Sequence, residues 1–251
     1  MKTVLVFSAH LDDAAFSVGP LLTELKVQAR IVVATVFTKS IANPGAFALA
    51  CQLDKGIDAS ADYMLIRRHE DMEWAEIIGV EAVHGPFAEA PHRGYHSAKE
   101  LFGPIFQTDE IEVDLQLWLG DLIASLKPDM ILVPLGIGNH VDHQWVRKAA
   151  QAMVVDPLTL AYYQDQPYAA KVNAVPPVTH LGEVDPCFPF YVSVSGSSLD
   201  RALTGAGAYV TQIPFQFGDI DSMGEVLRPA WGGNLLLFHT VGIPTYLDLL
   251  S

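Results

Sequence analysis

Two short polar clusters carry the residue types that hydrolytic or metal chemistry needs: His10-Leu11-Asp12-Asp13 near the start of the chain and His140-Val141-Asp142-His143 far downstream. The first follows directly on the apolar run Val4-Leu5-Val6-Phe7, which reads as a buried strand. Adjacent acids at the end of such a strand are costly to hold unless they reach water, a cation or a metal ion. In the second cluster the imidazoles are three residues apart, so they face one direction if a helical turn has begun. With His10 and Asp13 they offer nitrogen and carboxylate donors suited to zinc, for which two histidines and a carboxylate with one open position form a standard catalytic set. The same donors suit iron(II), so the residue types leave the divalent metal open. Taken singly, each cluster has a blander reading. Asp12 or Asp13 could cap a helix, as could Asn139, with Asp142 favouring the dipole of the helix that follows.

The elements that must position these clusters are a parallel β-sheet and its crossover helices. Val4 to Ala9, Ile31 to Thr38 and Met130 to Pro134 are short, continuous apolar runs of the kind that form strands covered on both faces. Between the first two, Ala14 to Gln28 has helical spacing, interrupted at Gly19-Pro20. Asp58 to Gly79 reads as a long helix capped by Asp58 or Ser60, Glu81 to Val83 as a strand, and Asp109 to Leu126 and Asp142 to Met153 as helices. The expected fold class is α/β, a Rossmann-like, mostly parallel sheet flanked by helices. Both clusters then lie beyond the carboxyl ends of strands, where open α/β sheets bind ligands. Residues 87–108 read as a long ordered loop. After Pro157 the pattern becomes aromatic and proline-rich, with strands expected at Val178 to Leu181 and Tyr191 to Ser195 and a helix from Leu199 to Thr211. With no flexible linker in view, residues 1–251 form one expected domain, a core over 1–155 and an extension over 156–251 on the same sheet.

Composition narrows the partners. Twenty-nine acidic against 15 basic residues give a net charge of -14, which disfavours nucleic acid or an anionic membrane and favours a neutral or cationic small molecule, although a local basic pocket can still bind an anion because net charge describes the whole surface. No stretch approaches the ~18 apolar residues of a membrane span, and the run after Lys2 is too short for a signal peptide, so a soluble, cytoplasmic protein is expected. A homo-oligomer is compatible with this composition. Cys51 and Cys187 are too few for a disulfide framework and are read as buried thiols. Gly136 and Gly138 lack the third glycine of a dinucleotide fingerprint.

The segments SAHLDDAAFS and GNHVDH resemble the AHPDDE and HxDH motifs of the zinc-dependent N-deacetylases known as the PIG-L or LmbE-like family. RRHEDMEWAEIIGV is similar to that family's RRxE helix, and LDRALTGAGAYVTQ, more weakly, to its C-terminal Tyr-x-Ser-Gln helix. The resemblance implies zinc held by His10, Asp13 and His143, with Asp12 as general base and His140 polarising the amide or stabilising its oxyanion. Asp142 is expected to orient His140. One of Arg67 and Arg68 is implied to reach substrate, and Glu89 sits where the family often contacts sugar hydroxyls, with Arg93 and Tyr95 nearby. Leu11 stands where the family usually has proline and Ala14 where it usually has glutamate; neither is an expected ligand.

The implied activity is removal of an N-acyl group, most simply acetyl, from a sugar or sugar-like small molecule such as a glycoside. Zinc would lower the pKa of its bound water from ~15.7 to roughly 7, which makes hydroxide available for the attack. Another metal-dependent amide or ester hydrolase and a non-catalytic carbohydrate-binding member of the fold are the rival readings.

Overall fold

The computed structural model describes residues 1–153, 159–171, 188–232 and 234–239. In chain order the elements are β1 (Lys2–Ser8), α1 (Asp13–Leu25), β2 (Ala29–Phe37), α2 (Ala46–Leu53), α3 (Tyr63–Ile78), β3 (Glu81–Phe87), a 3-10 turn (Ala90–His92) and α4 (Ala98–Leu101). Then follow α5 (Glu112–Leu126), β4 (Met130–Pro134), α6 (Val141–Met153), β5 (Thr159–Tyr163), α7 (Tyr168–Lys171), β6 (Phe188–Ser193), α8 (Gly196–Ala206), α9 (Ile213–Phe217), α10 (Ile220–Trp231) and β7 (Asn234–His239). One seven-stranded sheet has the order β3-β2-β1-β4-β5-β7-β6. The first five strands run parallel, and β7 pairs antiparallel with both β5 and β6. The fold is α/β with a mostly parallel sheet, and the strands after residue 155 extend that same sheet.

Strand alternation explains why both faces are covered. Val4 and Val6 enter one apolar cluster with Phe16, Leu21, Trp74 and Trp231, whereas Leu5 and Phe7 enter the other with Leu119, Ile131 and Val146. A strand buried on both sides must be apolar throughout, which is what the β1, β2 and β4 sequences are. No helix among the described residues is long and apolar enough to cross a membrane.

Helix α1 runs without interruption through Gly19-Pro20, contrary to the expected break. Pro20 has no N–H to give the Phe16 carbonyl four residues earlier. That carbonyl instead accepts from the Trp231 indole Nε1 at 2.8 Å, so a residue on α10 supplies the donor the proline lacks. Gly19 lets α8 approach, since a Cβ there would lie 3.3 Å from Ala202 Cβ.

Other boundaries shift for local reasons. Helix α3 begins at Tyr63, with Asp62 accepting from the Leu65 N–H, while Asp58 turns back onto Ser60. Strand β3 continues to Phe87 and the expected loop contains the 3-10 turn and α4. The expected 191–195 strand is centred earlier, as β6, and the 199–211 helix is α8. Helix α2, β5 and β7 carry no clear periodic signal and were not anticipated. The expected strand at Val178 to Leu181 and Cys187 lie outside the described residues. Cys51 is only half-buried and lines a cavity, not the core.

Trp231→Phe should lower stability by about 1–3 kcal/mol, because it leaves the buried Phe16 carbonyl without a donor. Adding Pro20→Ala restores a backbone donor, so thermal unfolding of the double variant should show part of that loss recovered; simple additivity of the two changes would contradict this account.

Candidate active site

Strands β1 and β4 are parallel neighbours, with Val6 opposite Leu132. The chain leaves β1 toward β2 and β3 on one side and leaves β4 toward β5 on the other. This is a topological switch point, where the loops diverge and open a crevice. His10 to Asp13 follow β1 and His140 to His143 follow β4, so the two clusters meet there. His10, His140 and His143 have ring nitrogens all within 4.8 Å of one another.

Hydrogen bonds decide which ring nitrogens are free. His10 Nε2 donates to Asp142 Oδ2 at 2.8 Å, which leaves Nδ1 facing Asp13 Oδ2 at 3.4 Å. His143 Nδ1 lies 2.6 Å from Asp165 Oδ1, which leaves Nε2 buried, 3.2 Å from Asp13 Oδ2 and without a hydrogen bond. Both are carboxylate–histidine pairs of the kind that orient metal-binding imidazoles and make them more basic. Donors at 2.0–2.2 Å around a tetrahedral ion stand roughly 3.3–3.5 Å apart, close to the spacing between Asp13 Oδ2 and the two nitrogens. The residues therefore fit a divalent cation. Without one, carboxylates favour protonated rings: burial opposes this, but Asp13 and then Asp142 raise His10 to about 9, and Asp13 and Asp165 hold His143 well above its usual value. A cation would displace those protons.

His140 belongs to the cluster but differs in its bonding. Its Nδ1 accepts from the Asp142 backbone N–H at 3.2 Å. A neutral imidazole that accepts at Nδ1 carries its proton on Nε2, so that nitrogen is a donor and not a metal ligand. Burial, with His10 nearby, lowers His140 to about 3 and keeps it neutral. The expected pairing of Asp142 with His140 is corrected. The Asp142 carboxylate binds His10, the Ala90 N–H at 3.1 Å and Arg93 Nη2 at 2.7 Å, and its nearest oxygen is 4.0 Å from His140 Nδ1. Those three donors occupy the carboxylate, and His140 takes a backbone donor in its place.

Asp12 occupies the N-cap position of α1 with φ 155°, a sparsely populated backbone conformation, yet its side chain makes no capping bond. Ser8 Oγ accepts from the Ala14 N–H instead, at 3.2 Å. Asp12 is therefore turned into the crevice, where Arg67 Nη2 lies 3.4 Å away. Burial raises its carboxyl to about 7, with the Arg67 charge opposing the rise and Asp13 adding to it.

The two arginines separate clearly. Arg67 lines the cavity, donates to Glu89 Oε1 at 2.5 Å and to the Leu11 carbonyl at 3.2 Å, and keeps a buried Nε without an acceptor. Arg68 points elsewhere, donating to the Thr38 carbonyl and to Ser40 Oγ. Arg93 and Tyr95 also depart from the expected substrate contact. Arg93 is consumed by Asp109, Asp142 and the Ala88 carbonyl, and Tyr95 is fully buried with its hydroxyl on Asp109. They brace the Asp142 side of the site, Arg93 by its direct bond to Asp142 and Tyr95 through Asp109, which Arg93 also holds.

Sequence reasoning missed Asp165 and Asp109. Asp165 follows β5 and also accepts from the Gly136 and Ile137 N–H groups at 2.7 and 2.8 Å. The signal was an acid two residues past a strand, hidden because β5 itself was not recognised. The whole arrangement opens into a cavity of about 700 Å³ whose far wall comes from residues 40–64 and α9.

An α/β sheet with carboxylate-oriented histidines and a cavity-facing acid at its switch point defines a class, the metal-type hydrolases built on Rossmann-like sheets. Residues 5–154 match the PIG-L family, described as GlcNAc-PI de-N-acetylase, and the chain belongs to that family. It is 33% identical over 238 residues to 2'-N-acetylparomamine deacetylase of Streptomyces fradiae, covering 92% of this chain and 79% of that one. Among solved structures, an A40926 pseudoaglycone deacetylase superposes with a TM-score of 0.75 at 25% identity, covering 94% of this chain and 95% of its own. A teicoplanin-pathway deacetylase shares the fold with a TM-score of 0.78 at 22% identity, over 96% and 98% of the two chains. Relatives of this chain are thus deacetylases, which hydrolyse amides.

Replacing Asp165 by Asn should weaken divalent-metal affinity by about 10–100-fold, the usual effect of losing a carboxylate that orients a ligating histidine. A competition titration against a zinc-binding dye would measure it, and unchanged affinity would remove His143 from the ligand set.

Proposed function

We propose that the protein removes an N-acyl group, most simply acetyl, from an amino-sugar-containing small molecule, with a zinc ion held by His10 Nδ1, Asp13 Oδ2 and His143 Nε2. The observation that carries this reading is the bonding of the imidazoles: Asp142 and Asp165 hold the outer nitrogens of His10 and His143 and turn the inward ones onto Asp13, where a cation would take the place of their protons, while His140 keeps its proton on Nε2. Two histidines and one carboxylate are a standard catalytic zinc set. A zinc ion bound there supplies positive charge that acidifies water and polarises the amide carbonyl.

The chain's own residues supply the proton transfers. Asp12, whose carboxyl burial pushes above the usual carboxylate range, is suited to take a proton from the attacking water and return it to the departing amine. Arg67 steadies it and, through Glu89, joins it to the cavity wall. His140, neutral with N–H on Nε2, is suited to donate to the oxygen that gains charge as the carbonyl is attacked. Arg67 and Glu89 are the substrate-contacting pair by position. The paromamine and pseudoaglycone relatives support a sugar-like acceptor.

Metal analysis of the purified protein should find zinc, and acetate release from N-acetylated amino sugars should stop on chelation and return with zinc. Asp12→Asn should keep its metal and lose about 10²–10⁴ in kcat, whereas His143→Ala should lose the metal. His140→Ala should cost about 10²–10³ in kcat with metal retained; loss of metal in that variant would make His140 a ligand and overturn its assignment as the donor.

A further inference from the structure

The far end of the cavity holds a cation that the reaction does not use. Lys55 follows α2, lines the same cavity as Asp12 and Arg67, and is half-buried. Its ammonium lies 4.3 Å from the centroid of the Phe215 ring on α9 and 5.8 Å from that of Tyr63 at the start of α3. The guanidinium of Arg67 stands 5.4 Å from the same Tyr63 ring, so one aromatic side chain links the lysine to the arginine that touches Asp12. Lys55 is thus held against two aromatic rings on the wall of the cavity that Arg67 and Asp12 also line.

No carboxylate among the described residues forms a direct ion pair with Lys55; Glu89 and Asp12 act on it only through space, while burial and the nearby Arg67 charge oppose its charged form. Arg67 and Arg93, the other cations near the site, are ion-paired with Glu89, Asp12, Asp109 and Asp142. Lys55 donates only to the Cys51 carbonyl, at 3.1 Å, and no carboxylate among the described residues pairs with it. An ammonium has three donors, so two are unspent. A half-buried cation with unspent donors beside a ligand cavity is complementary to an anionic oxygen. The cavity, at about 700 Å³, is of the size that encloses a whole drug-sized ligand, so it has room for more than one sugar ring.

We propose that Lys55 is a specificity-determining residue that binds an anionic oxygen, of a carboxylate or a phosphate, on the part of the substrate beyond the acylated amine. This rests on the deacetylase reading only for the identity of the bond cleaved. Phe215 and Tyr63 position the ammonium, and the anionic group directs the remainder of the substrate away from Asp12 and toward α2 and α9.

The test uses the zinc-loaded full-length protein and three matched N-acetylglucosaminides: phenyl, 4-carboxyphenyl and 4-phosphophenyl. KM should be about fivefold lower for the charged glycosides than for the phenyl one, with kcat alike, as for a partly exposed ion pair. The stronger of the two anions identifies the group recognised. In Lys55→Met the KM ratio should fall to one, and in Lys55→Glu it should invert; a merely structural lysine would change all three substrates equally. A wild-type ratio of one, or a ratio kept in Lys55→Met, overturns the proposal. If none of the three is cleaved, calorimetric binding of the corresponding free-amine glycosides decides it: a retained preference for the charged ones that Lys55→Met abolishes supports the subsite while the deacetylase reading fails, and no preference overturns the subsite.

Discussion

Four carboxylates, Asp12, Asp13, Asp142 and Asp165, are buried together at the ends of β1, β4 and β5, and the surrounding structure is arranged to make that tolerable. Isolated buried charges cost several kcal/mol each, so every one needs a partner. Asp142 has Arg93, His10 and a backbone amide; Asp165 has His143 and two backbone amides. Asp12 has Arg67, and Asp13 has the His10 N–H and the two imidazoles. These partners come from the turns after β1 and β4, from α3 and α6, and from the 87–109 loop, which is ordered by them although it contains little regular structure.

The backbone is shaped to the same end. Gly136 and Gly138 have φ of 86° and 89°, and Asn139 has 64°. The bend lets successive N–H groups converge on one Asp165 oxygen, a small anion-binding nest. The glycines after β4 therefore serve a carboxylate of the protein itself, which accounts for a glycine-rich turn with no dinucleotide fingerprint. Asp12 at φ 155° is the counterpart after β1: it holds its side chain off the helix N-terminus and into the crevice, a conformation that costs about 1–3 kcal/mol and persists because the Arg67 and His10 contacts hold it.

Much of this was legible in the sequence. Strands β1, β2 and β4 are apolar on both faces, so their burial follows from their composition and their parallel arrangement from the strand–helix–strand order, and the polar clusters after β1 and β4 follow as loop residues at one edge. Helix α2 and strands β5 and β7 were not legible, because their residues are ordinary in periodicity and their pairing depends on partners far away in the chain. The uninterrupted course of α1 was hidden for the same reason. Its proline reads locally as a break, and the donor that repairs it arrives from Trp231.

The sequence by itself determined the chemical inventory: which imidazoles and carboxylates are available, that they sit beyond the ends of apolar strands, and that the chain resembles a deacetylase family. Only the tertiary structure decided how those groups divide the work. The Asp142 carboxylate serves His10, leaving only its backbone N–H for its near neighbour His140, Arg67 and not Arg68 faces the cavity, and Arg93 and Tyr95 brace the site from outside it. The physical reason is that a hydrogen bond is short and directional, so proton placement on a histidine or the reach of an arginine depends on angstrom-scale positions that residues distant in the chain set together.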